Sequence, residues 1–262
     1  MIRSNFVRNK LEAGLPVIGT WSVIPSLMHA EILALSGLDF LIIDREHGTT
    51  SFETAVGMMM ACESHKVSPI VRVSDLSCGE IQRALDAGAH GVQIPNVHTP
   101  EQMQMIVQLT KYPPLGQRGF SPFTRAACYQ SQNSKEQIIH GNSRPLISVH
   151  IEGIGAIRNL DRLLEYREID IFFIGLYDLS KALGKAGQIN DPEIRECLKS
   201  CVGKIKNSGK IAGTIANSVE QMGEFLDYGI AYLTYSVDCE QLSTTYTQIV
   251  AEFTNYFQVV KK

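Results

Sequence analysis

Short apolar runs alternate along this chain with longer stretches whose apolar residues recur every three or four positions. The runs are PVIGTWS (16–22), FLIID (40–44), PIVRVS (69–74), GVQIP (91–95), LISVHIE (146–152), DIFFIG (170–175), KIAGTIA (210–216) and YLTYSVD (232–238). Their β-branched and aromatic content predicts eight strands. The amphipathic stretches between them predict helices, for example SFETAVGMMMACESH after the second run and TPEQMQMIVQLTK after the fourth. Several open on Ser, Thr or Asp and several close on Gly, the residues that satisfy helix ends. Strands apolar at consecutive positions are buried on both faces, as parallel strands are beneath crossover helices. Eight such units predict an α/β chain folded as a single (β/α)8 barrel over 1–262, with an open doubly wound sheet as the alternative. A last amphipathic stretch, CEQLSTTYTQIVAEFTNYF, follows the eighth strand.

One connection breaks the rhythm. From Lys111 to Asn133, KYPPLGQRGFSPFTRAACYQSQN has little periodicity, and so long an irregular segment in a compact domain is commonly functional. It carries Arg118 and Arg125 among small and aromatic residues, which points to an active-site lid or a subunit contact.

Composition narrows the function. The 262 residues are 44% hydrophobic and 19% charged, enough for one substantial core, and the formal net charge of -3 offers no footprint for nucleic acid or an anionic membrane. No apolar stretch reaches the ~18 residues of a membrane span, and the N-terminus MIRSNFVRNKLEAGLP lacks the apolar centre of a signal peptide, so the expectation is a cytoplasmic protein. The six cysteines form no C-x-x-C pair, and Cys197 and Cys201, one helical turn apart, read as apolar filler.

In a barrel of this type chemistry sits at the C-terminal ends of the strands. The ionisable residues predicted there are Asp44, Glu46 and His47 after strand two, Arg72 at strand three, Glu152 closing strand five and Asp178 beyond strand six, while strand four ends in Pro95-Asn96 and strands seven and eight offer mainly Asn217 and Asp238. Glu152 and Asp178 could ligate a divalent metal, because two carboxylates with waters and a chelating substrate suit octahedral Mg2+ or Mn2+. Arg72 could serve a carboxylate or a developing oxyanion, and His47 could carry a proton near neutral pH. Each has a plainer alternative: Glu152 and Asp178 as helix caps, Arg72 as the ion-pair partner of Asp44, His47 as an exposed loop residue. His29, His65, His90, His98 and His140 fall away from this rim, whereas period-two alternation sets His150 on the same strand face as Glu152, pointing into the site.

The ordered set IIDREHG, PIVRV, IQRALDAGAHGVQIPNV, YPPLGQRG, HIEGIGAIRNLDRLL and IFFIGLYDLSKALG, across residues 14–240, resembles the HpcH/HpaI family of metal-dependent, class II pyruvate aldolases. The resemblance implies a barrel enzyme that reversibly cleaves 4-hydroxy-2-oxo acids to pyruvate and an aldehyde, assembled as a hexamer of three dimers with the last helix exchanged between subunits. It implies Glu152 and Asp178 as metal ligands, Arg72 stabilising the enolate, and His47 as acid/base made more basic by Asp86. Asp44 and Glu46 would order waters beside that histidine, and Gly175 with the backbone near Tyr177 would line the pyruvate carboxylate pocket. Asp86 falls on a predicted helix, so its pairing with His47 rests on the resemblance alone. The sequence does not choose among Mg2+, Mn2+ and Co2+. Two departures stand out: His150 replaces a glutamine, and GLYDLS replaces G-P-A-D-L-S, so Tyr177 becomes a candidate substrate contact and His150 either a substrate contact or an added metal ligand. With the pocket altered, condensation or decarboxylation of another 2-oxo acid such as oxaloacetate stands as an alternative, as does a non-catalytic binding barrel.

Overall fold

Along the strands, residues that join an inner apolar cluster alternate with residues that join an outer one, and this alternation is what a closed parallel sheet requires. The computed structural model describes residues 4–260, with side chains to 257; the remaining terminal residues of the expected 1–262 span lie outside the described residues. Its eight strands are β1 (Val17–Ser22), β2 (Phe40–Asp44), β3 (Ser68–Arg72), β4 (Gly91–Ile94), β5 (Leu146–Ile151), β6 (Ile171–Ile174), β7 (Ile211–Ala216) and β8 (Tyr232–Val237). They pair in parallel in sequence order, with β8 closing on β1. The open-sheet alternative is thereby excluded. The helices are α1 (Phe6–Glu12), α2 (Leu27–Leu35), α3 (Phe52–Ser64), α4 (Cys78–Asp86), α5 (Pro100–Thr110), α6 (Ser134–Ser143), α7 (Ile154–Leu163), α8 (Leu176–Ala182), α9 (Pro192–Asn207), α10 (Val219–Tyr228) and α11 (Asp238–Val260).

Trp21, Phe40, Ile42, Ile70, Leu146, Phe173, Ile215 and Tyr232 fill the barrel interior, while Leu41, Ile43, Val71, Val92, Ile147, Val149 and Phe172 pack outward with buried residues of the helices. The short α1, absent from the sequence expectation, plugs the N-terminal mouth. Val7 joins the interior cluster and its N–H donates to Ser68 Oγ, while Asn5 caps the helix and donates to the carbonyls of His90 and Arg144.

The irregular 111–133 segment begins where α5 ends, at the N-terminal end of the barrel. Arg118 is buried against Asp86 of α4 at 2.6 Å, and Arg125 pairs with Glu63 of α3 and donates to the Ala87 carbonyl. Its arginines therefore anchor it at the end opposite the strand C-termini, which corrects the expectation of a lid over its own barrel mouth.

Candidate active site

Strand register assembles the site. Asp44 of β2 is the partner of Arg72 on β3, Arg72 of Gln93 on β4, Gln93 of Ser148 on β5, and His150 of Phe173 on β6. Asp44, Arg72, Gln93 and His150 thus form a polar layer above the apolar interior. Here Asp44, His47, Arg72, His150, Glu152, Gly175, Tyr177 and Asp178 line one cavity of about 260 Å3, walled on its apolar side by Trp21, Val23, Phe173, Leu176, Ile215 and Val237. A larger cavity of about 420 Å3 lies at the other end, beside His90, Arg118 and Arg144. The carboxylates from the strand C-termini converge on the smaller one.

Arg72 is held from two sides. Its Nε and one terminal nitrogen donate to the two oxygens of Asp44 at 2.9 and 2.6 Å, and the other terminal nitrogen lies 3.0 Å from Glu46. The guanidinium stacks over Trp21 at 4.3 Å. Three of about five N–H groups are thereby used and two remain. The ion-pair alternative for Arg72 is realised, and the same side chain also faces the cavity. Burial works to raise the Asp44 pKa, but the hydrogen bonds and charge of Arg72, with the N–H groups of His47 and Glu46, hold it below the usual carboxylate value. Glu46 moves the other way, because its burial outweighs Arg72 and His47.

Glu152 is buried, and no side chain caps α7, whose N-cap is Gly153, so the capping alternative for Glu152 does not hold. One carboxylate oxygen accepts the Asn96 N–H at 2.7 Å and the other meets His150 Nδ1 at 2.8 Å. Asn96 reaches this position through a left-handed backbone, φ 57°, just past β4. Burial opposes ionisation, yet His150, the Asn96 N–H and the charge of Arg72 hold the Glu152 pKa below the usual carboxylate value. Gly175 caps α8, and a Cβ there would sit 2.9 Å from Glu152 Oε2. Asp178 follows in the first turn of α8 as a half-exposed carboxylate whose ion-pair neighbour is Lys181 at 3.9 Å.

His47 stands at the rim, its side chain 67% exposed and its Nε2 4.0 Å from Glu46. Tyr177 is half-exposed, and its hydroxyl accepts from the Asn217 carboxamide at 2.8 Å. His150 points inward as alternation predicts, but both of its ring nitrogens are already engaged, by Glu152 and Gln93. Asp86 is the exception. As the last residue of α4 it lies at the N-terminal end of the barrel, paired with Arg118, and does not meet His47 within the chain. Trp21 and Gln93 were not foreseen as parts of the site, and Asn96 and Asn217 were placed at strand ends without a role. Period two marks Trp21 and Gln93 as inward-facing, but only the register shows what they face.

Two carboxylates on one cavity form an all-oxygen donor pair that fits a hard divalent cation. Among the described residues no group of three or more His, Cys, Asp or Glu could hold a metal, so the remaining positions of such an ion would belong to water and substrate.

A (β/α)8 barrel with carboxylates, arginine and histidine gathered at its strand C-termini defines an enzyme of the aldolase and lyase kind. Residues 18–244 match the HpcH/HpaI aldolase/citrate lyase family, and the chain belongs to it. It is 31% identical over 254 residues to the 4-hydroxy-2-oxo-heptane-1,7-dioate aldolase of Klebsiella pneumoniae, covering 96% of this chain and 95% of that one. It is 34% identical over 236 residues to the 2-keto-3-deoxy-L-rhamnonate aldolase of Salmonella gallinarum, covering 90% and 88%. The crystal structure of an HpcH/HpaI aldolase from Desulfitobacterium hafniense superposes with a TM-score of 0.90 at 30% identity, covering 95% of this chain and 97% of that one.

Proposed function

We propose that this protein reversibly cleaves a 4-hydroxy-2-oxo acid to pyruvate and an aldehyde, with Glu152 and Asp178 holding Mg2+, Mn2+ or Co2+. The observation that carries the reading is that both carboxylates line the same cavity as Arg72 and His47. When bound, the ion supplies Lewis acidity to the 2-oxo acid. The chain's own groups do the rest. Arg72, immobilised by Asp44 and Glu46, turns its two unused N–H groups toward the oxygen on which enolate charge develops. His47 takes the proton of the 4-hydroxyl as the C3–C4 bond breaks, and returns a proton in the condensation direction. Trp21, Phe173 and Leu176 keep water from the carbanionic carbon.

Enolate formation can be read without knowing the aldehyde. In deuterium oxide with Mn2+ the pyruvate methyl signal should disappear by exchange, and Glu152→Ala or Arg72→Ala should slow that loss ~100-fold or more. Oxaloacetate losing CO2 on a protein that leaves the pyruvate methyl protons in place would overturn the aldolase reading.

The assembly belongs to the same proposal. Every side chain from Cys239 to Phe257 on α11 is exposed, among them Tyr246, Ile249, Phe253 and Tyr256, as are Leu27, Met28, Ile32 and Leu35 on α2. Apolar surface on this scale marks an interface, and we assign its occupant as a second copy of this chain that receives α11.

A further inference from the structure

We propose that Gln93 and His150 form a strut that fixes the orientation of Glu152, so that His150 is a positioning residue for this carboxylate and not a substrate contact. The inference rests on the metal reading above and adds to it a role for two interior residues.

The His150 ring has no freedom left. It is 2% exposed, stacked on Phe173 with ring centroids 5.0 Å apart and planes 24° from parallel, and met edge-on by Trp21 at 5.9 Å. Nδ1 lies 2.8 Å from Glu152 Oε2 and Nε2 lies 2.6 Å from Gln93 Nε2. One tautomer satisfies both contacts: Nδ1–H donates to the carboxylate, and the bare Nε2 accepts an N–H of the Gln93 carboxamide. With both nitrogens spent, His150 has no lone pair for a cation and no donor for a substrate.

Gln93 has no other evident reason to be polar. It is fully buried, and its Oε1 has no hydrogen-bond partner, a cost that a leucine in this interior layer would not carry. What the carboxamide does instead is hold His150. The imidazole then claims one oxygen of Glu152 while Asn96 claims the other. A carboxylate has about four acceptor sites. Two are taken, one on each oxygen, so the face Glu152 turns to the cavity is set by the strut and by Asn96, not by the cation. Partners of a metal ligand govern affinity in this way, by removing the freedom of the ligand to turn aside.

The test is Mn2+ affinity of the intact protein, measured by calorimetry and by electron paramagnetic resonance, beside pyruvate kinetics at saturating Mn2+. His150→Phe keeps a ring against Phe173 and removes both hydrogen bonds; it should weaken Mn2+ binding ~10- to 100-fold with an unchanged KM for pyruvate. Gln93→Leu should weaken it in the same direction by a smaller factor, and His150→Gln, which returns an N–H to Oε2, should recover much of the loss. Mn2+ affinity within about twofold of the parent in His150→Phe would overturn the strut, since loss of a ligand's partner costs more than that. So would a raised pyruvate KM with Mn2+ affinity intact, which would make His150 a substrate contact after all. If His150→Phe does not fold, Gln93→Leu decides alone, and unchanged affinity there overturns the proposal. Glu152→Ala separates the two levels: Mn2+ binding that survives it removes the metal reading itself, whereas binding lost there but kept in the strut variants removes only the strut.

Discussion

Asp44 is 1% exposed and faces Arg72, which is only partly buried and turns two N–H groups to the cavity. Losing one partner of a fully buried pair costs about 3–5 kcal/mol. Arg72 keeps Glu46 and the cavity, so Asp44→Asn should destabilise the protein by less, roughly 2 kcal/mol, the scale of hydrogen bonds to a charged group. The pH dependence has a definite sign. The folded pKa of Asp44 lies below its ordinary value, so its contribution is complete above the unfolded value of about 3.9 and disappears as pH falls through the lower folded value. Denaturant midpoints between pH 3 and 7 should fall on the acid side for the parent and respond less in Asp44→Asn; parallel curves would remove this account. At this scale the sequence was readable wherever an ionisable residue closed or soon followed a strand, which is how Asp44, Arg72, Glu152 and Asp178 became candidates. Gln93 escaped notice, and Asn96 was placed at the end of strand four without a role, because their importance lies in which atom they meet across the sheet, and period-two alternation carries no register. The placement of Asp86 on α4 was legible in the same pattern, and its pairing with Arg118 across 32 residues of chain was not.

The ends of β4 and β6 and the start of α8 do the local positioning. Asn96 turns through a left-handed backbone to aim its N–H, and Gly175 lets α8 begin against Glu152 without a side chain between them. Gly175→Ala should therefore displace the Glu152 carboxylate while leaving the barrel intact. The expected outcome is Mn2+ affinity reduced ~10-fold with unchanged circular dichroism, on the ground that an ångström of misplacement is enough to spoil a preorganised site. Normal affinity would mean that the ligand tolerates the added methyl. The eight strands and the long amphipathic helices were evident from periodicity alone. Helices α1 and α6 were not, and α8 was expected only as a helix over LSKALG capped by Asp178, whereas it starts at Leu176 with Gly175 as its N-cap and Asp178 in its first turn. Helix α1 is seven residues long, too short to show a period, and α6 buries none of its side chains, so no apolar stripe announces it.

Eight repeats of one strand–helix unit favoured a closed barrel over an open doubly wound sheet, since closure leaves no sheet edge unpaired, and the pairing of β8 with β1 decides it. The route of α11 was not, since an apolar stripe identifies a helix that must be covered without identifying what covers it. If a second copy receives it, the intact protein sediments as an oligomer, and a chain ending at Glu240 sediments as a smaller species prone to aggregate through the uncovered faces of α2. An intact chain that remains monomeric at micromolar concentration would contradict this.

If a second copy receives α11, each chain is at once a donor and an acceptor of that helix. A chain cut short before α11 could still accept but would have nothing to donate, so a pair formed with the full-length chain would hold one exchanged helix in place of two.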